Sequence, residues 1–126
     1  MISNKPNTRT KGKSFEKRAE IFFVQKGCRI LERNWQDGHQ EIDLIILDQK
    51  TIAFVEVKGA TSDRFGHPAE KINKKKRSNL IKAAQKYIEK SNFAGHDFRF
   101  DLVTIIGPKL EYYKDAFWDE QSDQTP

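Results

Sequence analysis

Glu41-Ile42-Asp43-Leu44-Ile45-Ile46-Leu47 and Ile52-Ala53-Phe54-Val55-Glu56-Val57-Lys58, separated by the polar Asp48-Gln49-Lys50-Thr51, are the stretch on which the fold turns. Two apolar, β-branched runs around a short polar hinge predict an antiparallel hairpin. Strand side chains alternate with period two, which groups Glu41, Asp43, Ile45 and Leu47 on one face, and Ile52, Phe54, Glu56 and Lys58 on one face of the partner. A turn centred between Gln49 and Lys50 sets Asp43 opposite Glu56. Opposed carboxylates repel, by up to about 1 kcal/mol even in solvent, so a cation is expected between them. A divalent metal with a lysine beside it fits, and that pairing suits phosphodiester cleavage. The argument depends on register. Gln49-Lys50 lacks the glycine or asparagine of a tight turn, a longer loop is open, and slippage by one residue would send the two acids to opposite faces.

Outward from the hairpin, 126 residues make one domain with a modest core. A single cysteine, Cys28, excludes an intramolecular disulfide and suits a reducing compartment, with the cytoplasm as the default. No stretch approaches the length of apolar chain that spans a bilayer, so no membrane partner is expected. The formal charge of +5 is unevenly spread: residues 64–90 hold nine basic side chains against Glu70 and Glu89. Such a patch meets phosphate backbones, or is a solvated helix face.

Residues 1–13, basic and almost without apolar side chains, are expected to form a flexible tail, with a single folded domain at 14–118 and a frayed acidic tail at 119–126. A helix is expected from about Phe15 to Lys26, capped by Ser14 and stopped by Gly27. Cys28 to Trp35 reads as a strand and Gln36 to His39 as a turn. After a loop with Gly66 and Pro68, Lys74 to Lys90 forms a second helix that buries Leu80, Ile81, Ala84, Tyr87 and Ile88. Its first turn carries Lys74, Lys75, Lys76 and Arg77, the wrong sign for the positive helix end but the right one for phosphate. Phe98 to Ile106 is a strand, and Leu110 to Tyr113 a short return strand. The order α-β-β-β-α-β-β is a single-domain α/β structure with a mixed sheet between helices.

Glu-x-Lys alone carries little, but Glu56-Val57-Lys58 ends a strongly apolar strand with Asp43 on the matching parity. Asp43 with Glu56-Val57-Lys58, and Glu16 on the preceding helix, resembles the PD-(D/E)xK nuclease superfamily. More closely, Glu16-Lys17-Arg18-Ala19, Arg33-Asn34-Trp35, Glu41-Ile42-Asp43-Leu44-Ile45, Phe54-Val55-Glu56-Val57-Lys58, Phe65-Gly66-His67-Pro68, Lys76 and Arg99-Phe100-Asp101 resemble the small bacterial YraN family, which is similar to archaeal Holliday-junction resolvases. The resemblance spans about Gly12 to Trp118. It departs at Gln40, where the family usually has glycine, and at Ala60, where it usually has arginine; the first lies in the loop that would admit DNA, and the second removes a phosphate contact.

The resemblance implies a restriction-endonuclease-like fold, a Mg2+ or Mn2+ cofactor held by Asp43, Glu56 and the Val57 carbonyl, and a metal-dependent endonuclease acting on structured or branched DNA as a homodimer. Lys58 would orient or deprotonate the attacking water and stabilise charge on the phosphate, or else be a plain salt-bridge partner of Glu56 or Glu41. Glu16 would reach the same centre from the first helix, or remain surface. Lys74, Lys75, Lys76, Arg77 and Arg64 are the candidate nucleic-acid contacts, with Lys76 placed to point towards the site. Arg99 and Asp101 share a strand face and suit a structural ion pair. Trp35 and Trp118 suit packing, and His39 and His67 fall in loops. A non-catalytic binding module that keeps the fold, or an RNA-processing nuclease, are the competing functions, since phosphate contacts say nothing about the sugar.

Overall fold

The computed structural model describes residues 8–62, 64, 66 and 72–116, with the backbone alone for 8–13. The expected turn at Pro68, Phe65, His67, Trp118 and the tail segments 1–7 and 119–126 lie outside the described residues. The elements are α1 (Thr8–Gln25), β1 (Arg29–Asp37), β2 (Gln40–Asp48), β3 (Thr51–Ala60), α2 (Lys74–Lys90), β4 (Asp97–Ile106) and β5 (Lys109–Tyr113). The sheet runs β1-β2-β3-β4-β5, antiparallel except where β4 joins β3 in parallel after the α2 crossover. This is the element order and mixed sheet expected from the sequence.

Each helix covers one sheet face. α2 packs Leu80, Ala83, Ala84 and Tyr87 onto Ile45, Ile52, Phe54 and Phe100, while α1 packs Ala19 and Phe23 onto Leu44, Ile46, Ala53, Val55 and Val103. The central strands are therefore apolar on both sides, which is why they read as continuous hydrophobic runs rather than clean alternation. Trp35 packs edge-on to Tyr87 at 5.3 Å between ring centroids, as its packing role required.

The hairpin has the expected register. Asp48 pairs with Thr51 and Leu44 with Val55, so the turn is Gln49-Lys50 alone, although Gln49 must adopt φ of 57°. Burial on both faces fixes register strongly enough to override that unfavourable turn residue. α2 begins after Asn73, whose side chain accepts the Lys76 N–H at 2.8 Å, and α1 stops at Gly27 with φ of 87°.

Two expectations are revised. α1 begins at Thr8 rather than near Phe15, so Ser14 lies inside the helix; once Phe15 to Phe23 nucleate it, extension backwards costs little. Strict alternation also fails at one end of β2. Ile42 and Ile45 both join the α2-side core despite odd spacing, so the strand turns about its axis at Asp43-Leu44. Across from it, β1 carries a register shift between Ile30 and Glu32 and a left-handed Asn34, φ 50°, between Arg33 and Trp35. That corner aims Asp43 out of the regular ladder.

Candidate active site

The β2–β3 register, continued one step beyond the Leu44–Val55 pair, places Asp43 opposite Glu56. The ladder gives way there. Instead of a strand carbonyl, the Val57 N–H donates to Asp43 Oδ2 at 2.8 Å. In an extended strand the N–H and C=O of one residue point to the same side, so the Val57 carbonyl also faces the gap that Asp43 borders.

Glu56 is 2 % exposed. Its Oε1 faces two ammonium groups, Lys76 Nζ at 3.5 Å and Lys58 Nζ at 3.7 Å, while its Oε2 is buried without a partner. A buried, unpaired carboxylate oxygen is costly, and such atoms mark sites that an ion or substrate completes. Burial first, and then the Asp43 charge, push the Glu56 carboxyl up to about 8 despite both lysines. Burial likewise raises Asp43, against the pull of the Val57 amide and of Lys76.

Glu16 comes to this corner from α1. Burial, followed by the Asp43 charge, raises its carboxyl to about 7. Buried acids this close relieve their repulsion by holding protons, so with no cation the cluster lowers its own charge. The helix is seated by Gly59: a Cβ there would stand 2.1 Å from the Phe15 ring. Phe15 thus lies against the backbone just after Lys58 and fixes the helical turn that bears Glu16. Glu41 is exposed and adds a like charge near both acids.

Among the described residues no three His, Cys, Asp or Glu side chains form a ready-made metal cluster. The arrangement offers two carboxylates and a backbone carbonyl, all oxygen donors suited to a hard divalent ion. The predicted phosphate-binding group divides: Lys74 and Lys75 are exposed at the start of α2 and Arg64 is exposed after β3, whereas Lys76 and Arg77 are half-buried and Lys76 turns inward onto Glu56. In the sequence Asn34 stood out only within the family resemblance, and neither Asn34 nor Gly59 was expected to have a role at the site. Their signals were local, an asparagine able to take a left-handed backbone and a glycine directly after the motif lysine.

Arg99 and Asp101 do form a structural pair, towards the opposite end of β2. Arg99 Nε donates to both oxygens of Asp101 at 3.0 Å, and its Nη2 reaches Asp48 Oδ2 at 2.9 Å and the Tyr112 hydroxyl at 3.0 Å. The Tyr112 hydroxyl and the Asp115 N–H both donate to Asp101, which is fully buried. With its donors and acceptors matched, this network anchors β5 and the segment after it to the sheet.

Among the described residues no helix is long and apolar enough to cross a membrane. A family model described as Uncharacterised protein family UPF0102 matches residues 15–105. A UPF0102 protein of Sulfurihydrogenibium sp. (strain YO3AOP1) is 39 % identical over 107 residues, covering 85 % of this chain and 93 % of the relative. One from Chloroherpeton thalassium is 45 % identical over 95 residues, covering 75 % and 74 %. Among solved structures, Pyrococcus furiosus SfsA in complex with Ca2+ is similar at 20 % identity over 86 % of this chain and 64 % of that one, with a TM-score of 0.31. A likeness that weak carries no argument about this chain.

Proposed function

The chain belongs to the UPF0102 family, the YraN family of its motifs, and we propose that it is a metal-dependent endonuclease that hydrolyses phosphodiester bonds in structured or branched DNA. The observation that carries this reading is Glu56: a carboxylate 2 % exposed, with one oxygen unpartnered, opposite a second acid and beside two lysines. A structural ion pair would have no reason to leave that oxygen bare in the interior. Asp43, Glu56 and the Val57 carbonyl fit a Mg2+ or Mn2+ ion, and the ion would polarise the phosphate and lower the pKa of water at the site.

The chain's own groups supply the rest. Lys58, in reach of Glu56, places a positive charge where a phosphate oxygen gains negative charge during attack. Glu16, close enough to Asp43 to feel its charge, presents a carboxyl raised to about 7, suited to taking the proton of an attacking water on one of its oxygens. Lys74, Lys75 and Arg64 lie exposed and would contact the backbone without reading sequence, which suits recognition by shape.

The test incubates purified protein with labelled four-way junction, flap, duplex DNA and structured RNA, in Mg2+, Mn2+ or chelator. Expected is cleavage of branched DNA that needs the metal and disappears in Asp43→Asn and Lys58→Ala. Cleavage that survives both substitutions, or binding without cutting under every metal, refutes the reading.

A further inference from the structure

We propose that Lys76 is a resident counter-ion of the acid pair, displaced when a divalent cation enters, and that it then contacts a phosphate of the bound nucleic acid beside the cut. The inference rests on the reading above and deepens it, by making metal entry and backbone binding compete for and then share one side chain.

Geometry singles Lys76 out from its neighbours. It occupies the first turn of α2 with Lys74 and Lys75, yet its ammonium lies 3.5 Å from Glu56 Oε1, slightly nearer than the motif lysine at 3.7 Å. For both Glu56 and Asp43, Lys76 exerts a larger pull than Lys58. With both acids ionised, as cation binding requires, their two negative charges are already balanced by the two ammonium groups. A divalent ion entering the same corner brings two further positive charges within a few ångströms, where repulsion in a part-buried setting is severe. One ammonium must then withdraw.

Lys76 is the one free to do so. Its side chain is 38 % exposed, little more than the 32 % of Lys58, but it stands at a helix start whose first-turn neighbours Lys74 and Lys75 face solvent. Lys58 stands on the central strand β3, paired with Thr104 of β4. A four-carbon stem moves an ammonium several ångströms by rotamer change alone, and a lysine acts as a point charge that needs no fixed fork geometry. The helix end adds its own attraction for an anion at the position Lys76 would take up.

Calorimetric titration of the nucleic-acid-free protein with Mn2+ tests the first half, and anisotropy of a labelled four-way junction in Ca2+ over a salt series tests the second. Lys76→Met is expected to bind Mn2+ about tenfold more tightly, Lys76→Arg to match the original protein, and Lys75→Met to differ by less than about twofold. Lys76→Met is also expected to bind the junction several-fold more weakly, with its salt slope reduced by about one phosphate contact. A substitution that merely loosened the fold would weaken both ligands together. Unchanged or weaker Mn2+ binding by Lys76→Met, or junction binding and salt slope left intact, overturns the inference while leaving the nuclease reading standing. No Mn2+ binding by the original protein overturns both.

Discussion

Replacing Glu56 by glutamine should stabilise the cation-free protein, and by an amount that grows with pH. The carboxyl is raised from 4.5 to about 8 in the folded chain, by burial first and by Asp43 second. Between those values the unfolded chain releases its proton while the folded chain keeps it. Unfolding therefore sheds a proton, and stability falls as pH rises from about 4.5 to about 8, then levels off. The full gap corresponds to about 5 kcal/mol. Asp43 relaxes when its neighbour is neutralised and the two lysines reorient into solvent, so about 2–4 kcal/mol is the expected gain at pH 9.

Urea unfolding in chelator at pH 5, 7 and 9 measures this, with the slope on denaturant unchanged between the two proteins. The difference between Glu56→Gln and the original protein should be close to zero at pH 5 and full at pH 9. For a domain of this size that is a rise of roughly 8–25 °C in melting temperature at high pH. Saturating Mn2+ should recover the loss in the original protein and do little for Glu56→Gln. A difference that stays flat from pH 5 to pH 9 would mean that Glu56 is solvated or already neutralised, and the buried acid pair would not exist as described.

Gly59→Ala should cost about 1–3 kcal/mol, because the new methyl overlaps the Phe15 ring, and should depress cleavage further by moving Glu16; denaturant unfolding and turnover check the two effects, and Phe15→Leu in the same chain should restore part of both. Asp101→Asn removes the buried one of the two carboxylates that hold the Arg99 charge, leaving only Asp48, and should cost up to about 3–5 kcal/mol, while metal affinity of the folded fraction at low temperature stays within about twofold. Gln49→Gly removes a side chain from a left-handed turn position and should stabilise by up to about 1 kcal/mol in the same unfolding assay, with no change in metal affinity.

The sequence by itself determined the hairpin and the second helix. Apolar runs on both sides of Asp48-Gln49-Lys50-Thr51 demand a pairing but leave its register open; the structure selects the Gln49-Lys50 turn, which sets Asp43 opposite Glu56. Lys74 to Lys90 was legible because its apolar stripe repeats at helical spacing. Tertiary structure alone decided the rest of the site. Alternation predicts a face but not a twist, and β2 turns at Asp43 beside a left-handed residue of another strand, Asn34. The depth of Glu56, the inward reach of Lys76 and the seat of Phe15 on Gly59 each depend on where two helices dock. Local sequence spacing fixes which residues share an element, whereas desolvation and charge pairing arise only between elements, and those two effects set the chemistry at this corner.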